Sequence, residues 1–184
     1  MPVEEMRIHS AGDFSLTTLC ALKAPTTISV CLPARNEAAT VGPIVDSIRT
    51  HFAAHAHGDN ALVDEIIVMD DRSTDATAEV ATAAGATVIS VSDVLAGQDP
   101  GSGKGNVLWK SVAASTGDIV VWVDADLTSF TPSYILGLLG PMLTDPDVAM
   151  VKGFYERPEQ GGAAGGRTTE LMARPLLSTF FAEL

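Results

Sequence analysis

Basic residues are scarce in this chain of 184 residues, which has 11 lysines and arginines against 23 aspartates and glutamates. The formal net charge of −12 argues against binding to nucleic acid or to an anionic membrane, because phosphate affinity comes mostly from lysine and arginine. An anionic small substrate would instead need a metal ion or a few well-placed basic side chains. Each lysine or arginine near a motif is therefore a candidate for binding.

Long apolar runs and cysteines are also few. No stretch approaches the roughly 20 apolar residues that span a bilayer, and the first residues lack a signal-peptide pattern. We therefore expect a soluble, cytoplasmic protein without a membrane span. The two cysteines, Cys20 and Cys31, form no CxxC pair, and Cys31 lies in an apolar stretch, so no disulfide framework is predicted.

Strand and helix patterns alternate along the rest of the sequence. Hydrophobic residues make up 46% of the chain, enough for one domain with a buried core. The strand patterns cover 27–33, 65–71, 86–91, 118–126 and 147–155. Short links between alternating strands and helices predict an α/β fold with a mainly parallel sheet and helices on both faces. Residues 1–26 show no such pattern and are predicted to be an irregular N-terminal segment.

Two aspartates follow the most apolar of these strands, DIVVWVDAD at 118–126. The apolar run predicts a central strand that is covered on both faces. Asp124 and Asp126 then lie at its carboxyl end, where open α/β sheets bind their ligands. Because two carboxylates so close repel each other, a hard cation with oxygen ligands would stabilise them. The pair predicts a metal site for a nucleotide diphosphate, with ordinary loop acids as the alternative.

Polar residues also end the first two strands. PARNE at 33–37 suits a nucleotide base, with Glu37 accepting a hydrogen bond from a ring N–H, unless these residues only cap the following helix. Asp70 at the end of the second strand is placed to bind a base or a ribose. The residues at 73–75, Ser-Thr-Asp, are predicted to cap the next helix.

Two glycine-rich segments open helices. The segment at 101–105, GSGKG, lacks the spacing of a Walker loop, but it predicts an anion site at a helix N-terminus around Lys104. GGRTTE at 165–170 combines backbone N–H groups with a guanidinium and a hydroxyl, which suits a phosphate or a carboxylate. A plain glycine turn or linker is the alternative reading of each.

Taken together, these motifs resemble the glucosyl-3-phosphoglycerate synthases, which are retaining glycosyltransferases with the GT-A fold. GKGNVLWKS at 103–111 and GGRTTELMARPLL at 165–177 carry most of the resemblance, since PARNE and DAD occur in many GT-A enzymes. The resemblance implies a Rossmann-like nucleotide-sugar-binding fold over residues 27–184. It also implies transfer of glucose from UDP-glucose to 3-phosphoglycerate, a step towards glucosylglycerate or methylglucose lipopolysaccharide.

The resemblance also implies roles for individual residues. It assigns the nucleotide sugar to Pro33, Ala34, Arg35, Glu37, Asp70, Asp71, Lys104, Asp124 and Ala125. It assigns Mg²⁺ or Mn²⁺ to Asp126, and it assigns 3-phosphoglycerate to Gly166, Arg167 and Thr169. No residue is assigned as a catalytic nucleophile, and a homodimer is expected.

The chain departs from this family at two positions and in length. Asp71 stands where similar enzymes carry a small serine, and Arg35 stands where an aliphatic residue is usual, which leaves open a different base contact or nucleotide. Similar enzymes also continue further and include a histidine that completes the metal site, whereas no histidine follows His57 here. We therefore expect 27–184 to be truncated at its C-terminal end.

Four other functions remain open from the sequence. A mannosyl-3-phosphoglycerate synthase would use GDP-mannose, and a related hexosyltransferase would use a polyprenyl phosphate as acceptor. A non-catalytic nucleotide-binding fragment would need a missing C-terminal segment. A nucleotidyltransferase has a similar sheet and acidic metal site, but its glycine- and arginine-rich loop after the first strand is absent here.

Overall fold

The computed structural model describes residues 7–53, 61–98, 101 and 103–153. Most of these residues belong to one compact unit, Ser10–Val151. After a short 3-10 turn, the regular elements are α1 (Leu16–Lys23), β1 (Ile28–Ala34), α2 (Val41–Phe52), β2 (Glu65–Asp70), α3 (Thr77–Ala84), β3 (Thr87–Ser90), α4 (Lys104–Ala114), β4 (Ile119–Trp122) and α5 (Ser133–Thr144).

The four described strands form one sheet in the order β3–β2–β1–β4. Every pair is parallel: Ser29 lies opposite Glu65 in the β1–β2 pair, and Ile28 lies opposite Ile119 in the β1–β4 pair. Each parallel connection carries a helix, as the alternating sequence pattern requires. The predicted α/β class with a mainly parallel sheet is therefore confirmed.

Strand β1 lies between β2 and β4, and its side chains are buried on both faces of the sheet. Ile28, Val30 and Leu32 are fully buried on one face, and Cys31 is fully buried on the other. On the second face, Val107 of α4 packs with Cys31 and its neighbours. This arrangement confirms the prediction of helices on both faces.

Helix α2 covers the first face through one apolar stripe. The stripe consists of Val41, Ile44, Val45, Ile48 and Phe52, none of them more than 2% exposed. Their spacing of three and four residues places them on one side of the helix. The helix begins after Thr40, as the position of Pro43 in its first turn predicts.

The apolar run before the aspartate pair forms a shorter strand than expected. Strand β4 covers only Ile119–Trp122, and within the described residues it pairs with β1 alone. Trp122 is 45% exposed. The predicted central position of this strand stays a prediction, because the described residues supply a partner along one edge and an apolar run does not specify how many strands pair beside it.

Two expectations about the ends of the domain differ from what the described residues show. The segment 1–26 is not irregular throughout, because helix α1 begins after Ser15, whose hydroxyl accepts a hydrogen bond from Thr18 N at 3.2 Å. Leu19 of α1 is fully buried, and the helix packs against α5. The predicted strand at 147–155 is absent from the described residues 147–153. The predicted helix at 167–181 lies outside the described residues.

The order of the strands fixes the position of the ligand site. The chain passes outward from β1 through β2 to β3, then crosses back to place β4 on the other side of β1. The loops after β1 and β4 therefore diverge and leave a crevice at the carboxyl edge of the sheet, where doubly wound folds bind nucleotides.

No helix in the described residues is long and apolar enough to cross a membrane.

Candidate nucleotide-sugar site

A cleft of about 320 Å³ opens at this carboxyl edge. Its lining residues are Pro33, Ala34, Arg35, Glu37, Asp71, Gly103, Lys104, Val107, Asp124, Ala125 and Asp126. The cleft therefore brings together every residue predicted to bind the nucleotide sugar or the metal, except Asp70. The three predicted acceptor residues, Gly166, Arg167 and Thr169, lie outside the described residues.

The loop after β1 is held by the loop after β2. Asn36 has a positive φ of 59°, and its backbone N–H donates a hydrogen bond of 3.0 Å to Ser73 Oγ. Its side-chain oxygen accepts one of 2.8 Å from Thr74 N. Asn36 tolerates this left-handed conformation better than most residues. These two bonds fix the direction in which Arg35 and Glu37 enter the cleft.

A second pair of contacts continues this connection. Glu37 N donates to Thr77 Oγ1 at 2.8 Å, and Ala38 N donates to Asp75 Oδ2 at 3.2 Å. The hydrogen bond from the Thr77 hydroxyl, together with bonds from backbone N–H groups, lowers the pKa of Asp75 below its ordinary value. The charged form of Asp75 therefore stabilises the loop that carries Glu37.

The residues at 73–75 thus do not act together as the predicted helix cap. Helix α3 begins after Ala76, which makes no side-chain cap, although Asp75 Oδ1 accepts a hydrogen bond of 3.0 Å from Thr77 N. Ser73 and Thr74 contact Asn36 instead. Nothing in the local sequence indicates these partners, because they lie more than 35 positions away.

The two aspartates at the end of β2 have different surroundings. Asp70 Oδ1 accepts a hydrogen bond of 3.3 Å from Ser73 N, and Asp70 does not line the cleft. Asp71 lines the cleft and is only 8% exposed. Its Oδ1 accepts a hydrogen bond of 2.9 Å from Arg72 Nε, and its Oδ2 lies 4.0 Å from Arg35 Nη1. Asp71 is therefore a nearly buried carboxylate between two guanidinium groups.

Helix α4 points its N-terminus into the cleft. Gly103 precedes the helix with a φ of 86°, a conformation that glycine adopts without a steric penalty. Lys104 follows as the first helical residue, and its ammonium group forms an ion pair with Asp124 Oδ1. The first backbone N–H groups of a helix and a lysine together favour an anion. This end of the cleft suits a diphosphate.

Asp126 provides an exposed carboxylate on the same side of the cleft. No hydrogen bond or ion pair of its side chain occurs among the described residues, whereas neighbouring Ala125 is buried. The described residues contain no cluster of three or more metal-binding side chains. Mg²⁺ characteristically takes one or two protein carboxylates and completes its coordination with phosphate oxygens and water. The donor set therefore fits a divalent ion that binds together with a diphosphate.

Sequence reasoning did not identify two kinds of residue. Gly103 and Val107 line the cleft because helix α4 begins there. The GKG motif was the sequence feature that could have indicated them. Asn36, Asp75 and Thr77 do not line the cleft, but their hydrogen bonds hold the loop after β1 that carries Glu37. Asp75 was predicted to be a local cap, Asn36 was left open between a base contact and a cap, and Thr77 was not singled out, because their cross-loop partners are distant in sequence.

The comparisons with known proteins agree with this geometry. A family model described as "Glycosyl transferase family 2" matches residues 29–179. The chain belongs to glycosyl transferase family 2. Glucosyl-3-phosphoglycerate synthase of Mycolicibacterium smegmatis is 47% identical over 176 residues, which are 93% of this chain and 56% of that protein. This family 2 chain spans about half the length of the curated relatives it matches.

Solved structures give the same family and fold. Glucosyl-3-phosphoglycerate synthase from Mycobacterium tuberculosis, in complex with Mn²⁺, UDP-glucose and phosphoglyceric acid, matches with a TM-score of 0.80 and 42% identity over 100% of this chain and 60% of that one. Mannosyl-3-phosphoglycerate synthase from Rubrobacter xylanophilus matches with a TM-score of 0.82 and 41% identity over 96% of this chain and 55% of that one. The resemblance and the GT-A-like fold predicted from the sequence are confirmed.

Proposed function

We propose that this chain binds the donor for a retaining hexosyl transfer from a nucleoside diphosphate sugar to 3-phosphoglycerate, with UDP-glucose as the first donor to test. The names of the mycobacterial relatives and the ligands of the M. tuberculosis structure support this reaction. The observation that carries the proposal is the cleft at the switch point, where Lys104, Asp124 and Asp126 face the loop of Arg35 and Glu37.

Different described residues are suited to different parts of the donor. The loop of Arg35 and Glu37 is suited to the base, and Lys104 with the N-terminal turn of α4 is suited to the diphosphate. Asp124 is suited to a hydroxyl of the ribose or the sugar, and Asp126 would hold Mg²⁺ or Mn²⁺. When bound, a divalent ion supplies the positive charge that stabilises the leaving diphosphate.

The acceptor would bind outside the described residues. We assign the phosphate and carboxylate of 3-phosphoglycerate to Gly166, Arg167 and Thr169, because glycine N–H groups, a guanidinium and a hydroxyl are suitable donors for both anions. The role of these residues is then to set the acceptor hydroxyl beside the sugar, which lowers the entropic cost of the reaction.

Calorimetric titration with UDP-glucose, with and without Mn²⁺, followed by a transfer assay with 3-phosphoglycerate, tests this function. We expect metal-dependent binding and formation of a glucosylated product. Metal-dependent binding without transfer would indicate a nucleotide-binding domain that is not catalytic by itself. Absence of nucleotide binding at every metal concentration would exclude the proposal. Glu79→Gln, which changes an exposed carboxylate outside the cleft, is the matched control for cleft variants.

We also propose that the chain acts in the cytoplasm as a homodimer. Light scattering coupled to size-exclusion chromatography tests the oligomeric state, and a monomer mass at micromolar concentration would contradict the homodimer.

A further inference from the structure

Helix α4 contacts the end of β4 at two places. At the start of the helix, the ammonium group of Lys104 forms an ion pair with Asp124. Two helical turns later, Ser111 Oγ accepts a hydrogen bond of 2.8 Å from Nε1 of Trp122, the last residue of β4. Residues two turns apart lie on the same side of a helix, about 10 Å from each other along its axis. One side of α4 therefore follows the stretch of chain that ends in Asp124 and Asp126.

The bond between Ser111 and Trp122 runs in one direction only. Ser111 is fully buried, and its hydroxyl donates a hydrogen bond of 2.7 Å to the backbone oxygen of Leu108 in the preceding turn. The indole of tryptophan has one donor and no acceptor. The hydroxyl therefore presents its lone pairs to Trp122 while its proton is used within the helix. Replacement of either partner by an apolar residue removes the bond, and no other group on the two side chains can restore it.

The start of α4 is open on the side of its glycines. No side chain caps the helix at Gly103, and a side chain added at Gly103 or Gly105 would meet no atom within 4 Å. The first buried residue of the helix is Val107, one turn further along, and Ser111 is buried one turn after that. The position of the first turn in the cleft therefore depends on contacts further along the helix, and the bond of Ser111 is one that reaches β4.

We propose that Ser111 and Trp122 are positioning residues, whose hydrogen bond sets the distance between the first turn of α4 and the loop of Asp124 and Asp126. The inference rests on the proposed function, which assigns the diphosphate to this turn and the divalent ion to Asp126. A divalent ion that contacts both a carboxylate and a phosphate requires the two groups at a fixed separation. Neither Ser111 nor Trp122 lines the cleft, so they act through the groups that do.

Two variants test the inference, because Ser111→Ala and Trp122→Phe each remove the bond and keep most of the side chain. The titrant is whichever of UDP and GDP the parent binds more tightly, in Mn²⁺ and in a chelator. The ratio of the two affinities is the metal enhancement. We expect each variant to lower the affinity in Mn²⁺ about 10-fold, as loss of one hydrogen bond would, and to lower the metal enhancement as well. A contact that only stabilises the fold would leave the metal enhancement unchanged.

The double variant, Ser111→Ala with Trp122→Phe, shows whether the two side chains act through one bond. We expect it to bind the nucleotide with the affinity of the single variants, because the second change removes nothing further. This cycle separates the bond from the other contacts of each side chain. Additive losses would contradict the proposal.

The same helix offers a matched control for each variant. Ser115→Ala removes a hydroxyl that donates a hydrogen bond of 3.2 Å to the backbone oxygen of Val112 in α4. Trp109→Phe changes an exposed tryptophan whose indole N–H has no hydrogen-bond partner among the described residues. Both controls should keep the affinity and the metal enhancement of the parent. Circular dichroism and thermal melting confirm that every variant is folded at the temperature of the titrations.

The outcomes separate this inference from the proposed function. If the Ser111 and Trp122 variants keep the affinity of the parent, or lose it equally in Mn²⁺ and in chelator, the inference is overturned and the proposed function remains. Equal losses in the Ser115 and Trp109 controls would also overturn the inference. If the parent binds neither UDP nor GDP, the proposed function fails, and the inference fails with it.

Discussion

The ammonium group of Lys104, at the first residue of α4, forms an ion pair with the carboxylate of Asp124, which follows β4. The two side chains are 59% and 51% exposed, so they meet in the open cleft rather than in the core. An exposed pair of this kind contributes little to folding stability. Its significance is that one cation and one anion are held at the place where the diphosphate and a sugar hydroxyl are expected to bind.

Lys104→Ala should weaken nucleoside diphosphate binding without unfolding the protein. Loss of a charged hydrogen bond to a phosphate corresponds to an affinity about 10- to 100-fold lower. Titration calorimetry with nucleoside diphosphate and Mn²⁺ measures the change, and Glu79→Gln, which alters an exposed side chain outside the cleft, is the control. Equal affinities in the Lys104 and Glu79 variants would remove Lys104 from the site.

Asp126→Asn should abolish the metal dependence of nucleotide binding. The carboxylate is exposed and forms no hydrogen bond or ion pair with a described residue, so we expect the melting temperature without ligand to remain unchanged. Nucleotide titrations with Mn²⁺ and with a chelator should then give the same affinity in the variant, but different affinities in the parent. A metal-dependent variant would show that Asp126 is not a ligand.

Asp75→Asn should weaken nucleotide binding through the loop of Glu37, because Asp75 receives the N–H groups that hold this loop. The pKa of Asp75 is lowered, so its stabilising effect is present above the ordinary value of 3.8 and is lost as the pH falls through the folded-state pKa. Melting temperatures below about pH 4 should therefore fall less steeply in the variant. Identical pH profiles, together with unchanged nucleotide affinity, would contradict this role.

The buried lysine of α4 should be a stability residue rather than a binding residue. Lys110 is 1% exposed, and its Nζ donates a hydrogen bond of 2.9 Å to the backbone oxygen of Val91. Lys110→Ala removes both the apolar stem and the donor, which should cost about 2–4 kcal/mol in the free energy of unfolding. Lys110→Met keeps the stem and should cost less in urea denaturation, and a reversed order would contradict the packing described.

The two cysteines should react at different rates. Burial, and to a lesser degree the charge of Glu65, raises the pKa of Cys31 to about 12, and burial also raises that of half-buried Cys20. Because thiolates are the reactive form, a thiol-disulfide reagent at pH 8 should modify Cys20 slowly and Cys31 only after unfolding. Cys20→Ser should abolish the reaction of the folded protein, and continued reaction would show that Cys31 is accessible.

Features that depend on neighbouring residues were predicted from the sequence more accurately than features that depend on partners far along the chain. Helix α2 followed from the spacing of its apolar residues, and the lining of the cleft followed from polar residues at strand ends. The order of the four described strands, with β4 beside β1, did not follow, because strand order depends on partners far along the chain. Helix α1 was missed because its eight residues carry only a weak apolar pattern, with Leu19 as the buried member. The bond of Ser73 to Asn36 has no local signal at all.

The construction of the cleft from strand ends has an evolutionary consequence. Arg35 and Asp71 contact each other at the rim of the sheet, whereas the side chains that hold the sheet together lie in separate apolar clusters. Substitution at these two positions therefore leaves both apolar clusters intact. Enzymes on this scaffold can change their ligand contacts at the strand ends while they keep the same sheet, so overall sequence identity is a poor guide to the donor.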